Sequence, residues 1–157
     1  MTTGFRFRAL DTEPFAALFD QDDRQLRELG VRRMTVDEHP GTPCRISLCD
    51  AAIGETVLLL PYAHHDVDSP YRASGPIFVR EHAQQAQPEP GKIPAFLLHR
   101  LLSVRAYDAN AMMIDADCVP GDELATLIPR LFSDPAVRYL HVHNARPGCF
   151  NCAVERL

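Results

Sequence analysis

VRYLHVHNARPGCFNCAVERL, residues 137–157, closes the chain, and its reading decides the fold. Apolar and polar residues alternate on both sides of Pro147-Gly148, the period of a half-buried strand. The segment therefore predicts two strands joined as a hairpin, VRYLHVHNA and FNCAVERL, and a hairpin is antiparallel. LLSVRAYD and MMIDADCV predict a second hairpin, turning at Ala109-Asn110. FRFRAL, VRRMTVDE, CRISLCD, ETVLLLPYAH and PIFVRE read as further strands. The unbroken Val57 to Leu60 run suggests a strand covered on both faces, hence an interior one.

Helices fall between them. EPFAALF follows Asp11 and Thr12, either of which can cap it, and Pro14 is tolerated in a first turn. DDRQLREL ends at Gly30, suited to the residue just past a helix. Asp122 is placed to cap a helix with Leu124, Leu127, Ile128, Leu131 and Phe132 at core spacing and Pro129 inside it. A short helix is expected from Pro94. The expectation is an α+β fold, a single domain over 1–157, with a largely antiparallel sheet of about eight strands and about three helices. The Gln- and Pro-rich residues 82–94 read as a surface loop. No Gly-rich strand-to-helix turn occurs, which argues against a doubly wound nucleotide fold.

Composition narrows the function classes. Apolar residues make up 46% and charged ones 24%, which is ordinary for a globular chain and unlike disorder. The net charge of -5 and scattered arginines argue against a nucleic-acid partner. No apolar run follows Arg6 and Arg8 as in a signal peptide, and Val57 to Pro61 is too short to span a membrane. A cytoplasmic protein with reduced cysteines is expected. The odd count of five cysteines argues against a closed disulfide framework.

Two clusters carry chemistry. On a strand over 139–144, Tyr139, His141 and His143 share one face while Leu140, Val142 and Asn144 share the other. Adjacent same-face positions lie roughly 7 Å apart, close enough for both imidazoles to meet one group. A simple Pro147-Gly148 turn would set His143 opposite Cys152 and Ala145 opposite Phe150. Three uses remain open. A metal site needs further ligands from His64, His65 or Cys152. A nucleophilic site would use Cys149 or Cys152 with a histidine as base. Otherwise the histidines simply hydrogen-bond to their neighbours.

The second cluster is HHDVDSPYRASGP, residues 64–76, a loop dense in functional groups. Arg72, Ser74 and the Gly75 amide could hold a phosphate or carboxylate, with Tyr71 orienting it. Alternatively Arg72 pairs with an aspartate of the same loop. Asp115 and Asp117 also share a strand face. A three-residue turn at 109–111 would set Arg105 opposite Asp115 and Ser103 opposite Asp117, which explains them as cross-strand pairs.

LLLPYAHHDVDSPYRASGPIFVRE, LLSVRAYDANAMMIDADCV and YLHVHNARPGC resemble a family of small bacterial proteins catalogued as domain of unknown function number twelve hundred and three. H-V-H-N-A-x-P-G-C is the most specific part. The resemblance covers nearly the whole chain and implies a bacterial single-domain protein, with no activity attached.

The leading functional expectation is a small anionic ligand held between the 64–76 loop and the final hairpin. His141, His143 and Cys149 are the candidate catalytic residues, and His64, Tyr71, Arg72, Ser74 and Asn144 the ligand contacts. No residue is assigned to a metal and no cofactor is specified. The other expectation is a non-catalytic interaction module working as a homodimer through an exposed apolar strand edge.

Overall fold

A computed structural model describes residues 4–157; Met1 to Thr3, the start of the stretch read as lacking a signal peptide, lie outside the described residues. Both sequence hairpins form, and together they make most of the first sheet. Its strands are β1 (Phe5–Arg8), β7 (Leu101–Tyr107), β8 (Met113–Pro120), β9 (Tyr139–Asn144) and β10 (Phe150–Arg156). They lie side by side in the order β1-β10-β9-β7-β8, antiparallel throughout.

The second sheet contains β2 (Arg32–Thr35), β3 (Pro43–Cys44), β4 (Cys49–Asp50), β5 (Thr56–His65) and β6 (Ala73–Arg80). Its order is β2-β5-β6-β3-β4, antiparallel except where β3 meets β6. Strand β5 is interior, and Val57 and Leu58, pointing to opposite faces, are both buried. The result is one compact α+β domain with ten short or long strands rather than about eight.

The stretches read as strands number nine, and CRISLCD supplies two of the ten observed, β3 and β4, instead of one. Backbone reverses between β3 and β4, with Leu48 N donating to Cys44 O and Leu48 at φ 51. Cys44 and Cys49 consequently face each other across the bridge instead of pointing apart. The reversal also frees Arg45 from strand alternation, so its side chain passes inward. Its Nε donates to Phe150 O at 2.7 Å, and Nη1 to Pro43 O at 2.5 Å, tying the two sheets together.

Each sheet has its own apolar core. Helix α3 (Leu124–Phe132) lays Leu124, Leu127, Ile128, Leu131 and Phe132 against one face of the first sheet. They meet Phe7, Leu102, Val104, Leu140, Val142 and Val154 in one buried cluster. Each such side chain contributes about 1.5–3 kcal/mol on leaving water. Helices α1 (Glu13–Ala16) and α2 (Asp23–Glu28) place Phe15 and Leu26 against Leu58, Leu60, Ile77 and Val79 of the second sheet. Asp22 caps α2 reciprocally with Gln25, at 2.8 and 2.9 Å. Residues 82–94 form an irregular strap, as the sequence suggests, held by Ala86 N to Ile46 O and Gly91 N to Phe5 O. No helix among the described residues is long and apolar enough to cross a membrane.

Candidate functional site

The face of the first sheet turned away from α3 is polar, and strand alternation puts it there. Cross-strand pairs set Ser103 beside His143, Arg105 beside His141 and Tyr107 beside Tyr139. The far end of β5 packs onto this face. His64 comes within 5.0 Å of His143 and 6.2 Å of His141, ring centre to ring centre, and stacks on Phe150. His65 lies edge-on to His141 at 5.0 Å and against Tyr107 at 4.3 Å. The two clusters of the sequence therefore meet: His64, His65 and Tyr71 from one, His141 and His143 from the other.

Hydrogen bonds fix some of these rings. His65 Nδ1 faces Tyr71 O at 2.8 Å, so it carries a proton and donates; Nε2 then accepts from the Tyr139 hydroxyl at 2.5 Å. His143 Nδ1 donates in the same way to Gly148 O at 2.9 Å. The remaining nitrogens are conspicuous. His64 Nδ1, His141 Nδ1 and His143 Nε2 are buried without a hydrogen-bond partner. His141 and His143 retain only 6% and 1% of their surface. Buried polar atoms are normally paired, so three neighbouring exceptions ask for a reason.

The electrostatics agree with neutral rings. Burial lowers His141 to about 3, helped by His65, His143, His64 and Arg105. Burial lowers His143 to about 4; the Gly148 carbonyl opposes this, while Arg105, His64 and Arg45 add to it. His64 is also lowered, by burial first and then by His65 and Arg105. Arg105 acts on all three and no carboxylate does. Burial raises Tyr139 to about 12, with Tyr107 and Asp108 adding.

Arg105 is thus the charge at the centre of the face, and it is not neutralised. The expected pairing with Asp115 fails because the β7–β8 register is shifted by one residue, with an irregularity at Ala106/Tyr107. Arg105 sits opposite Ala116 and Ser103 opposite Cys118. A one-residue slip sends every side chain to the other face. Asp117 accordingly lies on the α3 side, where it pairs with Arg130 at 2.7 Å. Among the described residues no carboxylate pairs with Arg105, whose Nε reaches Ser103 Oγ at 3.4 Å.

The other sequence candidates are placed differently. Arg72 is exposed and pairs with Asp66 at 3.0 Å, the alternative considered for it. Ser74 lies on the outer side of the second sheet, lining a hollow of about 340 Å³ with Gly30, Arg32 and Pro76. Tyr71 contributes its carbonyl to His65 and its ring, edge-on at 6.2 Å, to Tyr107.

The final turn spans 145–149 rather than two residues, because an L-proline does not suit the primed two-residue turns. Gly148, at φ 83, donates to Asn144 O, and Asn144 N donates to Cys149 O. With a bulge at Asn151, His143 opposes Phe150 and Val142 opposes Cys152, correcting the simple register. Cys152 therefore points into the α3 core, where burial pushes its thiol up to about 12 against the pull of Arg45. Cys149 Sγ accepts from Asn144 Nδ2 at 3.2 Å, on the strand face opposite the histidines. Asn144 also borders a polar hollow of about 470 Å³ with His99, Arg100 and Arg146.

No group of three or more His, Cys, Asp or Glu among the described residues is placed to hold a metal ion. The matched family can now be set beside this geometry. Residues 41–156 match the model of a family described as protein of unknown function (DUF1203). The chain belongs to that family. No curated protein and no solved structure matches it. In this DUF1203 member the matched span contains Arg45, His64, Arg105, His141 and His143, and hence the whole polar face between the sheets.

Sequence reasoning missed Arg105, Ser103, Tyr107 and Arg45 as members of the site. Alternation in LLSVRAY does put Ser103, Arg105 and Tyr107 on one face. That this face meets the histidines follows from the pairing with β9, and that it escapes Asp115 follows from the bulge beside Tyr107. Nothing local marked Arg45, whose inward path depends on the reversal at 45–48.

Proposed function

We propose that the polar face of the first sheet binds a small anionic molecule, with Arg105 as its counter-charge and His64 and His141 beside it. One observation carries this reading: a half-buried guanidinium with no carboxylate partner stands among neutral imidazoles. A cation ligand would be repelled there, whereas an anion gains charge-assisted hydrogen bonds. The face is reachable from the β7–β8 side, where Ser103 and Arg105 are half-buried and Ala116 and Cys118 exposed. Arg72 and Ser74 drop out of this proposal because they stand elsewhere. Cys149 drops out because Asn144 and Arg45 engage its sulfur.

Titration calorimetry of the protein with a panel of small carboxylates and phosphates tests the reading. The binding member of the panel should lose at least about tenfold in affinity in Arg105→Met, since a hydrogen bond to a charged group is worth about 1.5–3 kcal/mol. Equal binding by the variant would refute it.

A second reading is self-association through β8, an edge strand bearing the exposed Ile114, with the exposed Met112 just before it. Asp115 and Asp117 on the same strand oppose edge-to-edge pairing. A solution mass of twice 17.6 kDa that is lost on Ile114→Lys would favour it.

A further inference from the structure

We infer that the anion bound at Arg105 carries a hydroxyl group, and that His143 selects for it. The inference rests on the anion-binding reading above and adds the chemical class of the ligand. Its basis is the proton arrangement of a single ring. A backbone carbonyl can only accept, so the 2.9 Å contact between His143 Nδ1 and Gly148 O places the proton on Nδ1. In the neutral ring Nε2 is then a lone pair and can only accept. That atom is buried and has no partner, on a side chain with 1% of its surface accessible. A buried acceptor left unpaired is unfavourable, and only a donor relieves it.

The surroundings decide which kind of donor. Ser103 lies directly across from His143, and Arg105 is the next same-face residue along β7, roughly 7 Å away. Arg105 and Arg45 both bear on His143. A ligand ammonium would meet two guanidinium charges, so an uncharged O–H is the donor that fits. The anionic group to Arg105 and the hydroxyl to His143 then lie within the reach of a short-chain hydroxy acid. His64, half-exposed, stands edge-on to His143 at 5.0 Å and flanks the same part of the site.

Matched pairs that differ by one hydroxyl test this: malate with succinate, lactate with propionate, and glycolate with acetate, titrated calorimetrically at pH 7. The hydroxylated member of a pair should bind at least about fivefold tighter, the worth of one neutral hydrogen bond. His143→Asn retains a donor for Gly148 O and lacks an acceptor at the Nε2 position. It should bring the two members of the pair to within about twofold of each other. Should that variant fail to fold, the ¹⁵N resonance of His143 Nε2 in the wild type should move with the hydroxylated ligand and not with its deoxy partner.

Equal affinity within each pair, still dependent on Arg105, would overturn the hydroxyl assignment and leave the anion site standing. A hydroxyl preference that survives His143→Asn would overturn the role of His143. Binding of no member of any pair would overturn the inference, and a search of the wider carboxylate and phosphate panel would then decide the anion site separately.

Discussion

Leu140 and Val142 on one face of β9, and His141 and His143 on the other, are almost equally removed from solvent. The first pair packs into the α3 cluster among buried apolar side chains. The second pair is buried against other imidazoles and Arg105, and each ring keeps a nitrogen without a partner. Equal burial thus has opposite consequences. On the α3 side it stabilises the fold, whereas between the sheets it costs stability.

Acid should break this comparison most severely. His141 and His143, lowered to about 3 and about 4, lie below the ordinary value of 6.5 that they regain on unfolding. Below pH 6.5 the unfolded chain binds protons that the folded one refuses. Stability is therefore complete above about pH 6.5 and falls steadily toward pH 4, by on the order of 1 kcal/mol per pH unit for each histidine. Urea denaturation across that range measures the slope, and His141→Gln with His143→Gln should flatten it. An unaltered slope in the double variant would place the acid sensitivity elsewhere.

Leu140→Ala probes the apolar face. It removes a fully buried side chain and should cost about 2–5 kcal/mol at neutral pH, with little change in acid slope. Denaturation midpoints at pH 7.5 and pH 5 separate the two effects.

Tyr139→Phe acts on the polar face without adding charge. It leaves His65 Nε2 without its donor, and the expected loss of about 1–3 kcal/mol is readable in thermal unfolding. A variant as stable as the wild type would mean that the 2.5 Å contact contributes nothing net.

Asp117→Asn should have the smallest effect, within about 1 kcal/mol, because its pairing with Arg130 is solvent-exposed. Any larger loss, or any change in ligand affinity, would contradict the placement of Asp117 on the α3 side.

Much of the fold was legible because its signals are local. The periods of 137–157 and 101–119 mark hairpins, Leu124 to Phe132 marks the covering helix, and Gly30 marks the end of α2. The site was legible only in part. His64, His141 and His143 stood out as residue types, and alternation correctly split His141 and His143 from Leu140 and Val142. Arg105 was hidden because its assigned partner, Asp115, is moved one place by a bulge at Ile114, between the Tyr107↔Met113 and Ala106↔Asp115 pairs, while the turn itself keeps the expected length. Cys152 was a candidate beside the histidines for the same reason, since a five-residue turn and a bulge move it to the core.

The sequence by itself determined which residues can share a strand face, because alternation follows from backbone geometry at each position. Only the tertiary structure decided which face meets which. That choice rests on loop length, bulges and the reversal at 45–48, where one residue more or less exchanges the two sides of a strand. It also decided that β5 ends over β9, which brings His64 to His143 and leaves Arg105 without an acid.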